Sequence, residues 1–523
     1  MACSDHLVDQ AVDELPAGLG LCYARGTTMT YFDHTTLLLV ASLLAACGPG
    51  EPSDTDTDSE GEPTSTGPTT GEPPTTTSSG EETTGDPPLV GVECEQLAGP
   101  QGSAVDWYLR CGGKQHEYVN GIATDAAGDI YLAVELRVFD GAQTLKIGEF
   151  EVKPGEFSDI LLIKLSSAGV PQWVRHFGGP MEQGVSGLVA CGDGFVIHGW
   201  ASAGSLDFGG GPLDETYIAS FDFDGDLRWS RSVPLLGEDA RVTFRAMACD
   251  DAGRLALGGE FEIGADFGGG PVEPPQLHDG FVVTYDAAGA FQWVRGFGSS
   301  GDGSRGRALA FAPGGELVVT GSFNGTVDLG GGPLTADAFA DMLVAEYSAA
   351  GEHLWSRQFG GAGGQDGTAV AVDATGRVVV GGAFFNEIEI GDEKFVNENP
   401  EDPEEGASAE DAVLVELDAS GALLGSQHLA TPLNDRVLDL SFGAADSLRF
   451  AGVADSAFSL RAFAGEEQTW EWSEMQLMSF PRAAWSGEGA VAVSSAPEGD
   501  VDLGSGTLGP HGGVDMLIAR IRR

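Results

Sequence analysis

The chain has 523 residues, 42% of them hydrophobic, and its 79 glycines are about 15% of the total, twice ordinary usage. Its 26 basic and 80 acidic residues give a net charge of −54, a field that repels phosphate backbones and excludes nucleic acid as a partner. The length fits several domains or one large repeat fold, and the acidic surface favours a soluble monomer.

Residues 35–46, TTLLLVASLLAA, form an apolar run that is too short to span a bilayer and has the size of a signal-peptide core. It ends in Leu44-Ala45-Ala46-Cys47-Gly48. This resembles the lipobox of bacterial lipoproteins, in which cleavage before the Cys exposes a thiol and an amine for acylation. The resemblance implies a signal region over 1–46 and lipid attachment at Cys47. Thirty-four residues precede the run, and Arg25 is the nearest positive charge. Met29 or a nearby codon is therefore read as the true start, and 1–28 as a start-site artefact.

Residues 47–96 are built from Thr, Ser, Pro, Gly, Glu and Asp, and 48–96 carry 12 acids with no Lys or Arg. Such a segment buries too little surface to offset chain entropy and is expected to be a disordered, extended linker.

From Trp107 onward one unit recurs. The stretch from Asp279 to Phe323 shows it best. An apolar run (Phe281 to Tyr285) meets the turn Asp286-Ala287-Ala288-Gly289, and a second run carries Trp293. After a Gly/Asp/Ser loop come Ala308 to Ala312, the turn Pro313-Gly314-Gly315, and Leu317 to Thr320. Trp107, Trp173 and Trp355 match Trp293, Trp229 and Trp472 hold the place in weaker copies, and Gly425 replaces the Trp in another. The third segment of a copy opens with Asp159, Asp279, Asp341, Asp411 or Asp515, and DFGGGP, DLGGGP or DLGSGT stands before it.

Each segment has four to eight residues between Gly/Asp turns, which is strand patterning without helical periodicity. Four strands per copy is the mark of a propeller blade. Seven first-strand copies occur. The last copy stops after its third strand at 515–523, and an orphan fourth strand, 105–113, opens the series. Together they complete one blade and remove the free sheet edges. The expected fold is thus an all-β, seven-bladed β-propeller of four-stranded blades over 97–523, closed by an N-terminal strand that completes the last blade and preceded by the disordered linker.

D-x-F-V-x-x-Y-D-x-x-G-x-x-x-W-x-x-x-F-G, followed by A-x-A-x-D-x-x-G-x-h-x-h-x-G (h is apolar), resembles the SBBP-type seven-bladed propeller repeats of bacterial cell-surface proteins. The resemblance covers about 105–523 and is strongest in blades three to five. It implies the fold and an exported location. That group has no common catalytic residues to carry over.

Asp222-Phe223-Asp224-Gly225-Asp226 has a calcium-loop flavour, but its spacing is compressed and it aligns with the hairpin turn at Asp286. The five repeated aspartates could ring a cation, or bond to the backbone of their own turns. The Gly triplets lack the helix and Lys of a phosphate cradle. D-x-x-G-x-x-x-W is similar to the Trp-docking repeats of quinone-dependent dehydrogenases, with the Asp-to-Gly spacing one residue shorter. The nine histidines are scattered, with no HxH or HExxH pair, and no Ser sits in G-x-S-x-G. No catalytic, cofactor-binding or metal-ligating residue is assigned. Cys94 could tie the linker's end to Cys111 in the closing strand. Cys191 and Cys249 occupy near-equivalent turns of neighbouring blades, where the separation argues against a bridge. Asn397 to Ala409 reads as a long acidic loop.

The sequence therefore points to a lipid-anchored, non-catalytic binding or structural envelope protein of the outer membrane or cell surface. It would touch the membrane through its lipid alone and meet a protein, glycan or polymer. The alternative is a propeller enzyme (hydrolase, lyase or quinone-type dehydrogenase) with convergent polar side chains at the axis.

Overall fold

The computed structural model describes residues 92–522 apart from short interruptions, the longest at 398–408. Residues 1–91, with the signal region, Cys47 and most of the linker, lie outside the described residues, as does nearly all of the acidic loop at 397–409.

Every regular element among the described residues is a strand. Six antiparallel sheets of four strands and one of five form the seven blades, with strands in sequence order within each of the first six. Blades 1 to 6 span 116–177, 183–232, 241–297, 304–359, 365–429 and 436–476. The middle strands are mostly buried and largely apolar because a blade is covered on both faces. Asp279–Tyr285 and Val378–Phe384 are buried at every position, which explains their continuous rather than alternating runs. The D-x-x-G hairpins are built by their aspartates. Asp286 Oδ1 accepts from the amides of Ala288 at 3.0 Å and Ala290 at 2.8 Å.

The ring closes as its two half-blades require. Val105–Cys111 runs antiparallel to Asp515–Ile521, with Trp107 opposite Arg520 and Cys111 opposite Met516. Ser479–Ser486 and Gly489–Ala496 complete blade 7. A fifth strand, Glu95–Ala98, pairs on the outer side of Val105–Cys111. The Cys94–Cys111 disulfide, with Cα atoms 4.2 Å apart, pins it there. Val92–Glu93 also pairs in parallel with Leu145 and Lys146 of a hairpin carried by blade 1. Regular structure thus begins before residue 97.

The repeated tryptophans join blades to one another. Trp173 Nε1 donates to Phe223 O of the next blade at 3.2 Å, and Trp293 Nε1 donates to Ala349 O at 3.1 Å. Trp107 does the same across the closure, reaching Ser167 O of blade 1 at 3.4 Å. Under each ring lies the glycine of the next blade's turn. At Gly351, φ is +78° and an added Cβ would lie 2.6 Å from the Trp293 ring. Gly169, Gly225, Gly289 and Gly421 hold the same place beneath Trp107, Trp173, Trp229 and Trp355. The D-x-x-G-x-x-x-W repeat is therefore a blade-to-blade clamp, with Trp107, Trp173, Trp229, Trp293 and Trp355 each docked on the glycine of the following copy.

Two expectations need correction. In blade 6 the register puts Trp470 opposite Ala462, the place Trp293 takes opposite Thr284, whereas Trp472 lies opposite Leu460. Trp470 finds no closed turn in blade 7, whose third and fourth strands are the two chain ends. It packs instead on Trp485 at 6.2 Å. The second correction is that Cys191 and Cys249 are bonded, with Cα atoms 5.2 Å apart. Both end first strands, which lie nearest the axis. Neighbouring blades converge there, so equivalent positions come within bridging distance.

Candidate functional site

First strands of successive blades pack on one another around the axis, so their side chains decide what the axial mouth presents. Each first strand carries a β-bulge near its start. Pairing with the second strand skips Asn120, Ser186, Arg245, Arg307, Thr368 and Leu438 in blades 1 to 6, and is also broken between Ser479 and Arg482 in blade 7. A bulge leaves one residue unpaired and re-aims it. It also explains the glycine that ends the A-x-A-x-D-x-x-G-x-h-x-h-x-G pair. At Gly321, opposite the bulged segment, an added Cβ would lie 1.9 Å from Arg305 O.

Three of these blades and their neighbours build a belt of guanidiniums. Arg245 Nε lies 3.0 Å from Glu260 Oε1, and Arg305 Nε lies 2.7 Å from Glu260 Oε2. Arg307 Nε lies 2.8 Å from Asp366 Oδ2, which also faces Arg436 at 3.6 Å. Arg436 in turn faces Glu410 at 3.7 Å. Burial presses the pKa of Arg307 down; Asp366 opposes this, and Arg245, Arg305 and Arg436 add to it. At Glu260 burial pushes upward, but Arg245 and Arg305 outweigh it and the carboxyl is held below its usual range. Blade 1 adds Arg137 over the Tyr118 ring at 5.1 Å, beside Glu135. Blade 2 adds the half-exposed Trp200.

Deeper along the axis the symmetry breaks. The residue just after the bulge is Gly121, Gly187, Ala246, Ala308 and Ala369 in blades 1 to 5. The same position is Asp439 in blade 6 and Arg482 in blade 7. Both are solvent-accessible although they sit on innermost strands, and neither forms an ion pair among the described residues. The crowding of surrounding strands desolvates the Asp439 carboxyl even though water can reach it, and pushes it up to about 6, opposed by the Leu440 amide and by Arg482. Burial, with Arg482 nearby, pulls His198 down to about 4.

The aspartates that open third strands do not form a ring. Asp159, Asp279, Asp341 and Asp411 are each buried within their own blade. Asp159 accepts from Gly155 N at 2.7 Å and lies 2.7 Å from His176 Nε2, and Asp411 lies 2.8 Å from His428 Nε2. Asp222 Oδ1 accepts from the amides of Asp224 and Asp226 at 2.9 Å, as a turn does. Asp207, Asp266 and Asp328 brace their Gly triplets in the same way. No group of three or more metal-ligating side chains occurs among the described residues.

Asp341 gives a pH test. Burial raises its carboxyl from 3.8 to about 6, while the Asp337 amide and the Gln358 side chain hold it down. Between these values the folded state keeps a proton that the unfolded chain has released. Stability therefore falls as pH rises through this window, and the penalty is complete above it. Asp341→Asn is expected to flatten the melting temperature against pH between about 4 and 6, and to leave the protein at least as stable as the parent at pH 8. A parent curve already flat over that range would refute the assignment.

No known family's sequence profile matches the chain, and no curated protein does. Among solved structures it is similar to Sqt1 from Chaetomium thermophilum, at 12% identity over 83% of this chain and 100% of that one, with a TM-score of 0.41. It is similar to the Dos1 propeller at 10% identity, over 78% and 93%, with a TM-score of 0.37. A luciferin-regenerating enzyme matches at 13% identity over 70% and 97%, with a TM-score of 0.30. Likenesses this distant bear on neither ligand nor reaction.

The axial residues escaped the sequence reading. Arg245 and Arg307 sit in the first-strand segments FRAMA and GRALA, and only alignment of all seven copies on the bulge shows that they share a column. Cys47, the single site residue that the sequence assigns, lies outside the described residues.

Proposed function

We propose that the protein is a lipid-anchored, surface-displayed propeller that works by binding, and that its axial mouth is the receiving surface for a partner bearing carboxylates. The belt of Arg245, Arg305, Arg307 and Arg436 carries this reading. In a chain with 80 acidic and 26 basic residues, four cations grouped on the innermost strands of blades 3, 4 and 6, against the three carboxylates of Glu260, Asp366 and Glu410, offer an anion a local welcome that the remaining surface denies it. The apolar run ending at Cys47 and the acidic linker after it support an exported domain held away from the membrane by a tether.

An axial enzyme is the second reading. Asp439, Arg482 and His198 keep it open, because titratable groups with displaced pKa values converging on an axis are what such a site needs.

The test is affinity capture from intact cells with the tethered domain as bait. Arg305→Gln with Arg436→Gln should lose the captured partner while keeping the parent's melting temperature, and capture should weaken as salt rises. Cys47→Ser should release the protein from membranes. Capture that is unchanged by the arginine variants would sink the binding surface. Unchanged membrane partition would sink the anchor.

A further inference from the structure

At the opposite ends of the first strands from the arginine belt, blades 2 and 3 are separated by a cavity of about 360 Å³. Its walls include Asp193, Ser220, Arg228 and Trp229 of blade 2 and Asp251 of blade 3. The Cys191–Cys249 disulfide bridges the two blades here, and Cys191 itself lines the space.

Trp229, like Trp293, differs from its equivalents in blades 1 and 4. In blades 1 and 4 the arginine two residues after the Trp lies over its ring, Arg175 over Trp173 at 5.4 Å and Arg357 over Trp355 at 5.9 Å. In blade 2 that arginine, Arg231, instead lies over Tyr285 at 5.1 Å. Gly289 packs on Trp229, and its Nε1 is fixed on Ala287 O at 3.4 Å, but no guanidinium covers the ring. Trp229 borders the cavity as a held aromatic surface.

Polar groups of both signs flank it. Arg228 is braced on Asp193, with Nη1 2.5 Å from Oδ1 and Nη2 donating to the backbone oxygen at 3.1 Å. Asp251 is exposed on the facing wall. Two carboxylates against one guanidinium disfavour an anionic occupant. Asp193 is already neutralised by Arg228, which leaves the single exposed carboxylate of Asp251 to accept hydrogen bonds and makes a small cation the competitor to exclude. Acceptors, a donor fork and an aromatic surface match the vicinal hydroxyls and the C–H face of a sugar ring. The volume lies in the range of small-ligand pockets.

We propose that the groove between blades 2 and 3 binds a neutral hexopyranoside, stacked on Trp229 and hydrogen-bonded by Arg228, Asp193 and Asp251. The inference rests on the reading of the protein as a binding module, but uses a different surface. Loss of the sugar site would leave capture at the axial mouth intact, and the reverse holds as well.

The experiment is saturation-transfer NMR with a titration of the whole protein against methyl α-D-glucopyranoside, methyl α-D-mannopyranoside and methyl N-acetyl-β-D-glucosaminide. Choline serves as the cationic comparison. At least one hexoside should bind saturably and more tightly than choline. Asp251→Ala, at an exposed turn, should weaken it about tenfold, and Trp229→Phe by a similar factor. Trp293→Phe and Arg305→Gln should leave it unchanged. Cys191→Ser with Cys249→Ser should weaken binding by freeing the two walls. If Trp229→Phe fails to fold by circular dichroism, Asp251→Ala decides alone. Absence of saturable binding by all three hexosides, preference for choline, or equal affinity in Asp251→Ala would overturn the proposal.

Discussion

A variant lacking residues 105–111 is expected to be insoluble, or to aggregate from the moment it is refolded. Seven residues would be lost from the middle of the five-stranded blade, where they pair with Asp515–Ile521 on one side and Glu95–Ala98 on the other. Val105, Trp107, Tyr108, Leu109 and Cys111 are all buried. Loss of a buried Trp alone costs roughly 3–5 kcal/mol, a large part of a typical domain's stability. The deletion also exposes the apolar strand Asp515–Ile521 as a raw edge, open to pairing with another chain. Truncation at residue 91 is the control. It keeps Val92 and Cys94, and the domain should melt as the parent does. A 105–111 deletion that stays monomeric with the parent's melting temperature would mean that the ring is not closed by this strand.

Gly351→Val should be among the most damaging single exchanges at the blade clamps. The residue sits at φ +78°, and a Cβ there would fall 2.6 Å from the Trp293 ring. Left-handed backbone costs a β-branched residue about 1–2 kcal/mol, and forcing atoms into a packed site adds about 1–3 kcal/mol. Trp293 would have to leave Ala349 O, which parts blade 3 from blade 4 at their hydrogen-bonded contact. Chemical denaturation should show a loss of about 2–5 kcal/mol. Gly296→Ala is the comparison. Its Cβ would meet nothing nearer than Phe261 at 3.8 Å, so its denaturation midpoint should stay close to the parent's. Equal losses in the two variants would show that the Trp–Gly contact does not bind blades together.

The blades were legible because their signals are local. Asp286 and Gly289 build a hairpin from five consecutive residues, and Asp279–Tyr285 is a single apolar run between two turns. Closure was legible because a half-blade at each end has no other partner. The axis was not legible. A bulge shifts side-chain parity by one, so alternation alone assigns Arg245 or Arg307 to the wrong face. Trp470 and Trp472 read alike until the register with Ala462 separates them. Cys191 and Cys249 are 58 residues apart, and only convergence of the inner strands brings them together. Asp439 and Arg482 fall where the repeat is weakest, so the column of glycines and alanines that they interrupt becomes visible only from the pairing.

The fifth strand of the closing blade bears on the order of synthesis. Val105–Cys111 is made near the start of the domain, and its partner Asp515–Ile521 is its last strand. Roughly 400 residues separate them, which at ribosomal speeds of about 5–20 residues per second is a wait of some tens of seconds. During that interval an unpaired apolar strand would be open on both edges. Glu95–Ala98 needs no wait, because it can pair with Val105–Cys111 as soon as Cys111 has emerged, and the bond to Cys94 makes the pairing durable once the chain reaches an oxidising compartment. One edge is thus covered early and permanently, and the other is reserved for the final strand to arrive. The added strand works as a timing device, keeping the first piece of the ring usable until the last piece exists.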